Sequence, residues 1–299
     1  VPFGGINMPL YTISEAQMRD GCKRAIEGLE LWLRRLIDIK LTEAYGQDYL
    51  DAQRADKSRA INSGLAKTLT ERRSQEPARF VRPIDAAFLA DQIQIICNPT
   101  LYRDHFADAL SDVFPQGNDS ARTFLNRLVT PRNALSHANP VSVHDAYRVL
   151  CYSMDVVEGL KTYYARVNMA NLYNVPTVVK ILDSLGHVVY LSSSNRNPDG
   201  PAIVDYSRDE KSYLRCGDSI SITAEVDPTF RPDQYEVEWL IANVGGPRTT
   251  GEKFQMVLSE HYVSTRFCVV CRVISNQNWH KLGDCDEQID IAYKVLPPI

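Results

Sequence analysis

The hydrophobic period of this chain changes partway along it, and that change limits the possible folds more than any motif does. Up to about residue 170 the apolar residues recur every three or four positions. Ile26, Leu29, Leu33, Leu36 and Ile37 do so in IEGLELWLRRLIDIKL, and Tyr147, Leu150, Met154, Val157 and Leu160 do so further on. Such spacing lines one face of a helix. Past the polar, turn-rich loop 192–201, SSSNRNPDGP, the period becomes two in SISITAEV, YEVEWLIA, FQMVLS, RFCVVCRVIS and QIDIAYKV. Helices first and strands after them predict an α+β, multidomain chain. An all-α helical bundle is expected over 1–170, followed by an antiparallel β-sandwich of immunoglobulin-like or PKD-like type over 171–299.

Local signals refine this outline. Ser14 followed by Gln17 predicts a capping box at the start of the first helix. A second helix is expected over 54–75, with shorter ones over 84–97, 101–110 and 119–129. The last long helix should open at Ser142, with Asp145 as its capping partner, and run to about Arg166. Pro176 reads as the opening of one short helix in NVPTVVKILDSLG. Trp239, in a central strand, is expected to be the core tryptophan of the sandwich.

Charge and cysteine usage narrow the function. The net charge is −4 and the pI near 5.9, so a nucleic-acid partner would need a local basic patch. No apolar run approaches the roughly 20 residues that span a bilayer, and VPFGGINMPLYTISEAQ lacks the regions of a signal peptide. A cytoplasmic chain with no membrane partner is the expectation. Seven cysteines, an odd number in apolar surroundings, fit free thiols in a reducing compartment. Cys268 and Cys271 look like half a zinc site, but residues three apart on a strand face opposite ways. No metal and no cofactor is expected. GPRTTGEK, residues 246–253, nearly spells a phosphate loop, yet it has Glu252 at the lysine position and lies between strands rather than before a helix, so it reads as a hairpin loop.

The chemistry-bearing stretch that remains is TPRNALSHANP, residues 130–140. Thr130 can cap a helix and Pro131 suits its first position, which would set Asn133 and His137 one turn apart on one face. Histidine exchanges protons near neutral pH, and arginine stays charged and grips two phosphate oxygens at once. Asparagine can orient the histidine or hold a third oxygen. Together they suffice to cleave RNA without metal, because the substrate's own 2′-hydroxyl is the nucleophile.

R-N-x-x-x-H, a proline turn and SVHDAYRVL resemble the HEPN superfamily, whose ribonuclease members carry Arg, a polar residue and then His. Similar domains accompany PIN-type RNA-surveillance endonucleases and bacterial defence ATPases, and they too begin with a Leu/Trp-rich helix followed by Tyr-Gly, as in LELWLRRLIDIKLTEAYGQDYL. The resemblance spans about residues 14–166. It implies a homodimer in which two motifs form one metal-independent site acting on tRNA or mRNA. Arg132 would polarise the scissile phosphate, His137 would transfer protons, and Asn133 would support both, leaving a 2′,3′-cyclic phosphate. It also implies a role in anti-phage defence, as a toxin, or in RNA quality control. Many members of the superfamily are silent dimerising or RNA-binding modules, and an adaptor that delivers RNA to another nuclease stays open beside the enzyme.

Two further features bear on partners. Residues 54–82 hold Arg54, Lys57, Arg59, Lys67, Arg72, Arg73, Arg79 and Arg82 against Asp56, Glu71 and Glu76. This is an RNA-facing surface or a solvated helix face. His144 lies within reach of the motif or is an ordinary first-turn residue. In the β-domain, NQNWHKLGD places Trp279 and His280 in a loop, either to contact a regulatory ligand or partner protein or to close the end of the sandwich.

Overall fold

A computed structural model describes residues 13–54, 56–137, 139–170, 174–191, 200–242 and 248–298. The chain divides into two compact units, Val1–Met169 and Ala170–Ile299. The first holds helices to residue 166 and the second holds β-sheet, so the α+β expectation stands.

In the first unit α1 (Glu15–Tyr45) is the central element. Ser14 accepts the Gln17 N–H at 3.2 Å and the Gln17 side chain accepts the Ser14 N–H at 3.0 Å, the capping box that the sequence predicts. Leu29, Trp32, Leu33, Leu36, Ile37 and Leu41 are wholly buried, and the helix packs chiefly on α7 (Val143–Arg166). Trp32 meets Tyr164 of α7 at 5.9 Å between ring centroids. Ser142 caps α7 through the Asp145 N–H at 3.0 Å, also as predicted.

The middle of this unit departs from expectation. Instead of one helix over 54–75, α2 covers only Ser63–Gln75, capped by Asn62. Before it, Asp56 Oδ1 accepts the Ser58 N–H and Lys57 takes a positive φ of 64°. That aspartate turn competes with helix and wins. The 84–97 segment splits into a 3-10 turn, Pro83–Ala86, and α3, Leu89–Ile96. Residues 99–110 form one run, α4 (Pro99–Leu101), a π-helical turn (Tyr102–Phe106) and α5 (Ala107–Leu110).

The largest correction is α6, which runs from Asn118 to Ser136 with Pro131 inside it. Thr130 therefore caps nothing, and Pro131 does not start a helix. Proline costs the helix the hydrogen bond to residue 127. Ala121, Leu125, Leu128, Pro131 and Leu135 nevertheless form an unbroken buried face, and that burial outweighs one lost bond.

The second unit contains ten strands among the described residues. One sheet has the order β2-β1-β5-β8, from Val188–Tyr190, Val178–Asp183, Ser219–Val226 and Lys253–Val257. The other has the order β3-β10-β9-β6-β7, from Ala202–Asp205, Glu287–Leu296, Ser264–Ser275, Tyr235–Ala242 and Thr249–Thr250. The segment read as a helix behind Pro176 is β1. Val178, Val179 and Ile181 are β-branched, and the segment finds a partner in β5. The pairing is not wholly antiparallel, because β3 and the short β4 (Leu214–Arg215) both run parallel to β10 along one edge. Inward-facing residues of both sheets gather in one apolar cluster around Trp239, which has no exposed surface. The Trp239 indole N–H donates to the Gly251 carbonyl at 2.7 Å, in the loop read as a hairpin. Cys271 lies in this cluster and Cys268 outside it. Most of the turn-rich loop 192–201 lies outside the described residues.

Candidate functional site at the end of α6

The last turn of α6 places Arg132 and Asn133, and His137 follows as its C-cap, its N–H donating to the Asn133 carbonyl at 3.1 Å. The turn beyond is tied back twice. The Asn139 N–H reaches the Ala134 carbonyl at 2.9 Å, and Arg19 of α1 donates to the Asn139 and Leu135 carbonyls. His137 thus sits on a braced corner. Its side chain is exposed, as is that of Asn133, and neither ring nitrogen has a partner among the described residues.

Arg132 is held differently. Its Nε donates to Glu30 Oε1 at 2.8 Å, with the two side chains 17% and 12% exposed. The same Glu30 oxygen accepts the Leu89 N–H at 3.1 Å, at the start of α3. The guanidinium also lies over the Phe88 ring, 4.6 Å from its centroid. Glu30 and Phe88 therefore fix the plane of the arginine, while its two terminal nitrogens have no partner among the described residues. No hydrogen bond joins the Arg132, Asn133 and His137 side chains to one another.

The basic segment is mostly engaged within its own unit. Arg54 donates to the Ala60 carbonyl and Asn98, Arg59 pairs with Asp51, and Lys67 pairs with Glu71. Arg73 donates to the Val81 carbonyl, Arg79 pairs with Glu76, and Arg82 pairs with Asp38. Arg59, Lys67 and Arg82 also border a cavity of about 630 Å³ beside Tyr49, Asp51 and Glu71. Lys57 is exposed on its turn. Arg72 is the cation that meets the motif: it pairs with Asp91 and lies over Phe88 at 4.6 Å, on the ring that Arg132 shares. His144 instead faces Arg148 within α7, at 3.4 Å.

Beside this corner α7 presents Val143, Tyr147, Cys151 and Met154, a helically spaced exposed stripe whose apolar members are 40–47% exposed. Phe124 of α6 extends it, its ring tilted against Tyr152 with centroids 4.8 Å apart.

In the second unit Trp279 is 41% exposed, and His280 is turned inward toward the buried Asp286, Nδ1 to Oδ2 at 3.2 Å. Sequence reading overlooked a different cluster. His187 Nδ1 lies 2.7 Å from Asp183 Oδ2, and His187 Nε2 lies 3.0 Å from Ser212 Oγ. Those are the residue types and order of a serine-hydrolase relay. Ser212 has no exposed surface, however, and its hydroxyl hydrogen is directed at Asp209 Oδ2, 2.6 Å away. A nucleophile closed off from substrate performs no acyl transfer. The signal available in sequence was faint: Asp183 and His187 flank a tight turn, and Ser212 lies 25 positions further on.

No protein-family model and no curated protein matches this sequence. Among solved structures, part of it is similar to the extracellular domain of a hybrid two component system from B. thetaiotaomicron, at 13% identity and a TM-score of 0.24. The match covers 41% of this chain and 15% of that one, and at that level it carries no argument about fold or function.

Proposed function

We propose that the helical unit is a HEPN-like, metal-independent endoribonuclease whose site is completed by a second copy of the chain. An immunoglobulin- or PKD-like β-sandwich would regulate it in defence or RNA quality control. The observation that carries this reading is the state of Arg132. It is anchored through Nε by Glu30 and lies over Phe88, with both terminal nitrogens unpartnered among the described residues, five positions before an exposed His137 that likewise has no described partner. An arginine held in one plane loses little freedom when it grips two phosphate oxygens.

One copy supplies one histidine, whereas the reaction needs two proton transfers. The 2′-oxygen attacks phosphorus as one His137 takes its proton. The bond to the 5′-oxygen breaks as the His137 of the other copy protonates that oxygen. The products are a 2′,3′-cyclic phosphate and a 5′-hydroxyl. Arg132 stabilises the charge gathering on the non-bridging oxygens, and Asn133, one turn from His137, holds substrate. Val143, Tyr147 and Met154 supply the apolar area through which two copies would meet.

The same Glu30–Arg132 pair favours a second reading, in which Arg132 is purely structural and the unit is a silent dimerising or RNA-binding adaptor. Incubation of the full chain with tRNA and mixed RNA in excess EDTA, beside His137→Ala and Arg132→Ala, separates the two. Chelator-resistant cleavage that leaves cyclic-phosphate ends and disappears in both variants is the enzyme. Binding without cleavage by the intact chain is the adaptor, and a strict monomer by light scattering refutes the composite site.

A further inference from the structure

Each ring nitrogen of His187 meets an oxygen, Asp183 Oδ2 at 2.7 Å and Ser212 Oγ at 3.0 Å. Asp183 Oδ1 accepts the backbone N–H of Leu185 and His187, at 2.9 and 3.0 Å, and Oδ2 accepts the Tyr293 hydroxyl at 2.8 Å. An ionised carboxylate only accepts, and its other described neighbours all donate to it, so the His187 Nδ1 at 2.7 Å is placed as a donor as well. Ser212 has one hydrogen, and it points to Asp209. The Ser212 oxygen can then only accept, which makes His187 Nε2 a donor too. Hydrogen on both nitrogens would satisfy Asp183 and Ser212 at once, with the ring stacked on Tyr206 at 4.0 Å and 12°.

We propose that His187 is a proton-operated clasp. It fastens the strap between β3 and β4 to the β1–β2 hairpin when its ring is doubly protonated and releases the strap when Nε2 loses its proton. The strap, residues 206–213, joins the two short strands that lie parallel along one edge of β10. Ser212 is the strap residue that His187 Nε2 meets, and Asp209, within the strap, accepts the Ser212 hydroxyl hydrogen.

Among the described residues, the groups that face the ring are Asp183 on β1, Tyr293 on β10, and Tyr206 and Asp209 on the strap, with Lys211 beside Asp209. Burial and the nearby Asp183 push the Tyr206 phenol up to about 12. The Ser212 hydroxyl holds the Asp209 carboxyl below the usual range. Neither therefore changes charge where histidine titrates, and the proton on Nε2 is the variable. Without it, one hydroxyl hydrogen must serve two acceptors, His187 and Asp209, and one of the two contacts is lost. The sign follows: the clasp is closed at low pH and opens as pH rises.

Amide exchange of the full chain, corrected for intrinsic rates and read at about pH 5.5 and about pH 8.5, brackets the histidine range. Peptides covering 206–213 should lose about tenfold in protection at the higher pH, the equivalent of one charge-assisted hydrogen bond. In Ser212→Ala, protection there should be low at both values. Nitrogen NMR of His187 in the unmodified chain gives an independent reading, with both nitrogens protonated at the lower pH and Nε2 bare at the higher. Equal protection at the two values, pH dependence that persists in Ser212→Ala, or a bare Nε2 at pH 5.5 overturns the clasp.

Discussion

Replacing Glu30 by Gln removes one charge from a pair that joins α1 to α6 and, through the Leu89 N–H, to α3. Severing a fully buried ion pair costs about 3–5 kcal/mol, whereas an exposed pair contributes about 0–1 kcal/mol. The Arg132 and Glu30 side chains are 17% and 12% exposed, nearer the buried limit. Glutamine keeps an oxygen that can accept from Arg132 Nε and from Leu89, which moderates the loss. An expected cost of about 2 kcal/mol follows. In a unit of this size that lowers Tm by roughly 4–8 °C. The control is Glu71→Gln, whose partner Lys67 lies 3.8 Å away with side chains 58% and 77% exposed, and whose cost should stay within about 0.5 kcal/mol. Thermal and urea melts of both variants, with Arg132→Met and the double variant closing the cycle, read the coupling directly. If Glu30→Gln melts no lower than Glu71→Gln, or if the cycle gives no coupling, Glu30 does not anchor Arg132. The proposed phosphate grip then fails.

Other consequences are quicker to check. Gly159→Ala would drive a Cβ into Val113 Cγ2, so a cost of about 1–3 kcal/mol is expected in denaturant melts. On the proposed dimer, Met154→Glu on the exposed α7 stripe should give a monomer by light scattering with the circular dichroism spectrum of the intact fold unchanged. A lower Tm with the dimer intact would assign Met154 to the core instead. In the native chain a small thiol reagent near pH 8 should modify the exposed Cys151 first. Burial pushes Cys22, Cys97 and Cys268 up to about 11, so those thiols should react only after unfolding. Mass mapping of the labelled sites decides.

The two-period pattern, the Ser14–Gln17 box, the Ser142 cap and the buried Trp239 were legible in the sequence because each is a local signal with a local cause. The misread elements have tertiary causes. Pro131 looks like a helix start until the buried face from Ala121 to Leu135 is known to continue through it. Pro176 looks like a helix opening until the residues after it find β5 as a partner. β3 and β4 are so short that only the β10 edge defines them. The site divides along the same line. Arg132, Asn133 and His137 stand within six residues, so spacing alone brings them to notice. What distinguishes an anchored arginine from a loose one is Glu30, 102 positions away, together with Phe88. Their contribution is an ion pair and a ring face, neither of which has a periodicity to read. The seam where α1, α3 and α6 meet thus gives the motif its chemical character. Substitutions there should alter Arg132 as strongly as substitutions within RNALSH itself.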